Sequence, residues 1–254
     1  MAALGATLVA YSGGVDSAYL AWAARQALGD RVLAVLADSP SLAAFQKRDA
    51  IQFAEKYGIP LEVIRTEEFE NPDYVKNAPD RCFHCKDELF ENLAAIAQER
   101  GFASIIYGVN ADDTRDFRPG HRAASQYGVR SPLLEAGLTK AEIRELARQA
   151  GLPVWDRPAS ACLSSRIPYG TPVTVQNLKK VEDGEEAIRQ LGFRQFRVRH
   201  HGELVRIEIA PDELPKALDP QITQIFTEIF KKLGYKYVTL DLEGYRTGSL
   251  NEVL

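Results

Sequence analysis

Two short stretches and one further residue hold the side chains best suited to chemistry. Residues 12–17 read SGGVDS, and residues 81–85 read RCFHC; the chain's third cysteine, Cys162, stands within SACLSSR. In the first stretch, Gly13 and Gly14 open backbone conformations closed to other residues, so that successive N–H groups can converge on an anion. A helix starting there adds the positive end of its dipole. Ser12 and Ser17 offer hydroxyl donors to phosphate oxygens. The Walker A pattern requires a Lys followed by Ser or Thr, and the dinucleotide fold requires G-x-G-x-x-G; this stretch has neither. Two glycines alone are equally compatible with a plain strand-to-helix turn.

The cysteines admit three arrangements. Zinc would need a fourth ligand from His84, His121, His200 or His201. A redox disulfide between Cys82 and Cys85 would want a thioredoxin-like setting, which the expected loop before Cys85 does not offer. Three thiolates could also hold a [4Fe–4S] cluster and leave one iron open. Isolated thiols acting as small hydrophobes suit Cys162 but not the Cys-x-x-Cys pair. Spacing does not place the cluster above zinc. A third stretch, YGVNADD, brings Gly108, which permits close backbone approach, and Asp112 and Asp113. These carboxylates suit Mg²⁺ on phosphates, or else form a solvated acidic loop.

The elements that must position these residues follow from hydrophobic patterning. Near-continuous apolar runs at 7–11, 32–37, 61–65 and 104–108 predict buried parallel strands. Amphipathic stretches at 17–28, 42–57, 85–100 and 139–150 predict the intervening helices, with Gly29 and Gly58 stopping two of them. The expected fold is α/β, a doubly wound parallel sheet whose ligands lie at the carboxyl ends of its strands, where SGGVDS falls. Past Pro153 the character changes. A proline-rich connecting loop leads to a helix at 175–191, strands at 193–199 and 204–209 joined at HHGE, a helix at 222–233 and a strand at 237–242. A smaller α+β domain is expected there, giving domains 1–165 and 166–254. His200 and His201 read as turn residues, and Trp22 and Trp155 as packing.

Composition bounds the function. The chain has 254 residues, 45% apolar and 26% charged, and a net charge of −4, which argues against a generally basic nucleic-acid-binding body. Three cysteines do not make a disulfide framework, no apolar run reaches membrane-spanning length, and the first residues lack a cationic leader. A cytoplasmic protein with no membrane or nucleic-acid partner is expected.

SGGVDS between a strand and a helix resembles the PP-loop of ATP pyrophosphatases, which cleave ATP between its α- and β-phosphates. That resemblance implies a pyrophosphate site at Ser12, Gly13, Gly14, Asp16 and Ser17, with Asp38 and Ser39 beside the AMP half and Gly108 close by. SGGVDS, RCFHCK, YGVNADDTRDFRPG, SACLSSR and FRVRHHGELVRIE, in this order along nearly the whole chain, resemble the LarE family of ATP-dependent sulfur transferases. Members build the organic part of the nickel-pincer cofactor of lactate racemase. They adenylate the carboxylates of pyridinium-3,5-biscarboxylate mononucleotide, release pyrophosphate, and replace oxygen by sulfur. One type sacrifices the sulfur of the cysteine in the SACLSSR-like motif. The other has a Cys-x-x-Cys as well, and its three thiolates bind a [4Fe–4S] cluster. Cys82, Cys85 and Cys162 resemble the second type. The resemblance implies ATP, Mg²⁺ (with Asp113 as a ligand) and a sulfide donor, and a homo-oligomer is expected.

Arg197 and Arg199 alternate along one strand and so share a face, which suits the substrate's phosphate. Arg246 is a further phosphate candidate, and Glu185 and Glu208 are candidate metal ligands by weaker analogy. Two other PP-loop enzymes compete, a tRNA thiolase and an ammonia-using synthetase of the NAD synthetase kind, as does a non-catalytic nucleotide-binding module. The acidic balance weighs against the thiolase, and the synthetase leaves the cysteines unexplained.

Overall fold

A computed structural model describes residues 1–115, 120–158, 161–246 and 249. The chain divides into two compact units, one of residues 1–74 and 80–160, the other of residues 75–79 and 161–254.

The first unit is built on strands β1 (Thr7–Tyr11), β2 (Val32–Asp38), β3 (Leu61–Arg65) and β4 (Ser104–Tyr107). All pair in parallel in the order β3-β2-β1-β4. Side chains alternate across the sheet, as the two-residue period of a strand requires. Val9, Tyr11, Ala34 and Leu36 join a core with α1 (Val15–Leu28) and α2 (Ala44–Lys56). Leu8, Ala10 and Val35 face the other way, onto α4 (Arg81–Arg100). The short α3 (Pro72–Val75) precedes α4, and α5 (Gly120–Gln126), α6 (Pro132–Glu135) and α7 (Lys140–Gln149) follow β4. Ile143 and Ala147 of α7 belong to the α1 side of the core, Ala123 and Ala124 of α5 to the other. Both faces are covered, so the sheet is doubly wound, as the apolar runs predict. Because β2 and β4 flank β1 on opposite sides, the chain order reverses at β1, and the loop after β1 opens into the resulting crevice.

Two expectations need correction here. Helix α4 begins at Arg81, so Cys82 lies in the helix and not in a loop before it. Pro79 and Asp80, ahead of it, are helix-start residues. Trp155 is 41% exposed and does not pack inside, whereas Trp22 does lie against the core.

The second unit carries α8 (Val175–Gln190), β5 (Phe196–His201), β6 (Leu204–Ile209), α9 (Leu214–Ala217), α10 (Pro220–Lys232) and β7 (Tyr237–Leu240). Strand β5 pairs antiparallel with β6, and β6 parallel with β7. His201 pairs with Leu204, so only Gly202 and Glu203 turn the chain. His200 is therefore a strand residue, 4% exposed, with Nδ1 3.0 Å from the Tyr235 hydroxyl; it is not the turn residue the sequence suggested. Residues 75–79 join this unit through Asn77, held in the left-handed region and fully buried. Its side-chain amide donates to the carbonyls of Pro168 and Thr171, both at 2.8 Å. The proline-rich connection is not wholly a loop, for Leu163–Arg166 forms a 3₁₀ turn.

Candidate functional site

Ser12, Gly13 and Gly14 make the link between β1 and α1. Gly13 has φ 75°, and a side chain there would come within 2.6 Å of the Ala50 Cβ. The hydroxyls tie the turn together. Ser17 Oγ donates to the Gly14 carbonyl (3.1 Å), lies 3.0 Å from Ser12 Oγ and accepts from the Ser12 N–H (3.2 Å). Gly108, leaving β4, lies against this loop so closely that a Cβ on it would sit 2.7 Å from the Ser17 nitrogen.

Asp16 carries the charge of the loop. Its Oδ2 accepts from Lys140 Nζ at 2.5 Å and from Asn110 Nδ2 at 3.4 Å. Its Oδ1 is buried without a hydrogen-bond donor among the described residues. Asp113, 8% exposed, accepts from the Asn110 N–H (3.1 Å), and Asp112 from the Lys140 N–H (2.8 Å). Arg157 adds a second cation on this side, 3.4 Å from the Gly13 carbonyl and 3.5 Å from Asp49.

At the carboxyl ends of β2 and β3, Asp38, Ser39, Pro40, Arg65 and Thr66 line a cleft of about 380 Å³. Asp38 is paired with Lys47 at 2.5 Å. Ser39 is linked through Ser41 (2.7 Å) to the buried carboxylate of Glu68 (3.0 Å).

Cys82 and Cys85 lie three residues apart on α4 and so share a helix face, Cys82 exposed and Cys85 half-buried. Cys162 caps the 3₁₀ turn of the second unit. None of the three is in a disulfide, and among the described residues no three His, Cys, Asp or Glu side chains gather into one metal site. The side chain of His121 lies outside the described residues, as do Asp116–Pro119 of YGVNADDTRDFRPG and Ser160 of SACLSSR.

In the second unit Arg197 and Arg199 do share one sheet face, but that face is buried, at 8% and 5% exposure. Arg199 makes a bidentate pair with Glu208 (3.0 and 2.9 Å) and donates to the Ser165 carbonyl and Ser249 Oγ (both 2.8 Å). Glu185 is likewise bidentate to Arg166, at 2.8 and 3.1 Å. Burial opposes the charge on both partners of that pair. The Arg166 cation nonetheless holds the Glu185 carboxyl below its usual range, and Glu185 raises Arg166. Arg197 lies over the Tyr245 ring, and burial together with the Arg166 charge pushes it down to about 10. Arg246 pairs with Glu243 at 2.9 Å. Arg166 also donates to the Ala161 and Cys162 carbonyls (2.8 and 2.9 Å), fixing the backbone that bears Cys162.

Sequence reasoning missed Lys140, Asn110, Arg157, Glu68 and Arg166. Their local signals are a helix cap, an Asx turn, a connecting loop, an acidic run and a motif neighbour, none of which names a ligand.

Comparison with known proteins joins these parts. Residues 3–109 match the NAD synthase family, the portion that holds β1 to β4 and the glycine turn. An uncharacterized protein of Synechocystis sp. is 44% identical over 97% of this chain and 92% of its own. The pyridinium-3,5-bisthiocarboxylic acid mononucleotide synthase of Lactiplantibacillus plantarum is 37% identical over 97% of this chain and 89% of its own. The chain belongs to the LarE family. A glutamine-hydrolyzing GMP synthase polypeptide of Methanococcus maripaludis (strain C7) is 30% identical over 72% of this chain and 60% of its own. The LarE likeness thus runs through both units. No helix among the described residues is long and apolar enough to cross a membrane.

Proposed function

We propose that this LarE-family chain is an ATP-dependent sulfur transferase that makes pyridinium-3,5-bisthiocarboxylic acid mononucleotide from the corresponding biscarboxylate. The observation that carries this reading is the likeness to the L. plantarum synthase over 97% of the chain. ATP sits on Ser12, Gly13, Gly14, Asp16 and Ser17, with Gly108 behind the loop and Asp38 and Ser39 beside the AMP half. A substrate carboxylate oxygen attacks the α-phosphorus, and pyrophosphate leaves. Sulfur then attacks the activated carbonyl, and AMP departs. The positive end of the α1 dipole, which starts at Val15, would stabilise the charge that develops on the leaving pyrophosphate.

Mg²⁺ fits the loop, because Asp16 Oδ1 is a buried hard oxygen with no donor among the described residues. Asp16 would hold the ion, with Asp113 as a further ligand. A [4Fe–4S] cluster fits the donor chemistry of Cys82, Cys85 and Cys162, three soft thiols outside any disulfide. Such a cluster, when bound, supplies sulfur carried on iron in place of sulfur taken from the chain.

The first unit is the ATP-binding domain and the second the substrate domain, with Arg197, Arg199 and Arg246 as ligands of the substrate phosphate. Buried charge supports this. Among the described residues of the second unit the buried charged side chains are Arg166, Arg197 and Arg199 against Glu185 and Glu208, three cations less two anions, or +1. That excess favours a phosphate dianion.

The test is anaerobic purification with iron and sulfide analysis, followed by pyrophosphate release and product mass with the biscarboxylate, for the natural chain and Cys82→Ala. Iron in the natural chain, and its loss together with multiple-turnover sulfur transfer in the variant, are expected. Iron-free protein whose sulfur transfer is unchanged in Cys82→Ala would overturn the cluster. Sulfur lost from Cys162 by mass would then assign the sacrificial route.

A further inference from the structure

The turn after β2 carries a chain of hydroxyls whose proton directions are fixed from behind. Ser39 lines the cleft at the ends of β2 and β3, while Ser41 and Glu68 are buried outside its lining, 6% and 2% exposed. Ser41 Oγ donates to Glu68 Oε1 at 3.0 Å, and a carboxylate offers it only acceptors. That bond uses the one proton the Ser41 hydroxyl has. The 2.7 Å contact between Ser39 Oγ and Ser41 Oγ must therefore be made with the proton of Ser39. The Ser41 N–H donates back to Ser39 Oγ at 3.2 Å and takes up one of its two lone pairs. The Leu42 N–H closes the turn by donating to the Ser39 carbonyl at 3.0 Å. Ser39 is left with one lone pair for the cleft, an acceptor with no proton to give.

An acceptor-only group selects among the parts of a nucleotide. Phosphate oxygens accept, so none of them can bond to Ser39. The nucleoside does carry donors, namely the 6-amino group of adenine and the ribose hydroxyls. Position agrees with this. Strand β2 neighbours β1, and β3 lies beyond it. Strands of one sheet are about 4.8 Å apart, so the cleft at the ends of β2 and β3 lies roughly 5–10 Å from the glycine loop. A nucleoside falls at that distance when its phosphates rest on the loop. Burying a carboxylate opposes folding unless it is hydrogen-bonded, and the bond that Glu68 makes goes into this relay.

We propose that Glu68 is a positioning residue for nucleotide selection: through Ser41 it fixes Ser39 as a hydrogen-bond acceptor, which admits a donor group of the nucleoside and rejects an acceptor in the same place. The inference rests on the reading that ATP occupies the SGGVDS loop. A glutamine at this position can donate as well as accept, so the relay would lose its direction.

The test uses the full chain with Mg²⁺ and reads by calorimetry the displacement of a bound ATP analogue bearing a methylene bridge between its α- and β-phosphates. The competitors are ATP, inosine triphosphate, whose 6-oxygen accepts where the adenine amine donates, and the 2′-deoxy and 3′-deoxy forms of ATP. In the natural chain at least one of the last three should compete about tenfold more weakly than ATP. Glu68→Gln, and Ser41→Ala as a second break in the relay, should shrink one of those penalties severalfold and leave the others as they were. The penalty that shrinks identifies the base amine or a ribose hydroxyl as the group at Ser39. Glu68→Asp, which keeps a carboxylate, should retain part of the selectivity. Equal competition by all four nucleotides in the natural chain would overturn the inference while leaving the ATP reading intact, as would uniform weakening of all four in both variants. No binding of the methylene analogue by the natural chain would overturn the ATP reading and the inference with it.

Discussion

Replacing Gly108 by Ala tests the central geometric claim, that the end of β4 serves as the back wall of the phosphate loop. The added Cβ would meet the Ser17 nitrogen at 2.7 Å, the Ser17 Cα at 2.9 Å and the Asp16 carbonyl carbon at 3.0 Å. Ordinary contact begins at 3.4 Å, so the loop and strand must separate by 3.4 − 2.7 = 0.7 Å. All three neighbours are backbone, and none can rotate away as a side-chain tip would. Overpacking of this sort costs about 1–3 kcal/mol, which lowers the melting temperature by roughly 2–4 °C per kcal/mol in a domain of this size. The functional loss should be larger than the loss of stability. Displacing aligned N–H donors by about 1 Å costs on the order of a hundredfold in rate. Pyrophosphate release against ATP concentration, alongside a thermal melt, measures both. Gly108→Ala with unchanged KM, kcat and melting temperature would refute the argument, because all three close contacts are with the backbone of the loop's own helix start.

Breaking the buried Arg166–Glu185 pair by Arg166→Met should destabilise the second unit by about 3–5 kcal/mol, read as a lower denaturant midpoint. The Arg166→Met, Glu185→Leu double variant should recover much of that loss, since neither charge of the pair is then left behind without its partner. His200, 4% exposed, is held below the usual 6.5, first by burial and then by the neighbouring charges of Lys180 and His201. As pH falls through 6.5 the unfolded chain protonates first, so stability is full above that pH and declines below it. Denaturation midpoints for the second unit should therefore drop between about pH 8 and about pH 5.5, and a His200→Gln variant should flatten that drop.

Much of the first unit was legible in the sequence. Strands of a parallel sheet buried on both faces are continuous apolar runs, and β1 begins and ends where its run does. The glycine turn was legible for a local reason too, since φ 75° at Gly13 favours glycine. The LarE motifs carried the reaction class, because motif order survives in sequence whatever the fold does.

What the sequence could not carry are contacts between distant charges. Arg197 and Arg199 announced a shared strand face through their two-residue spacing, but nothing local indicates that the face is buried or that Arg199 holds Glu208. Asn77 lies in the first half of the chain yet belongs to the second unit, because its amide satisfies the carbonyls of the Pro168–Thr171 turn. The glycine loop shows the division most clearly. Residues 12–17 by themselves specify a tight strand-to-helix turn, with Gly13 at φ 75°, through the conformational freedom of adjacent residues. The lysine on Asp16 comes from the start of α7, placed there by the packing of Ile143 and Ala147 into the core shared with α1. Backbone conformation is a property of adjacent residues and can be read from them. Charge pairing is a property of distance in space, which only the folded chain decides.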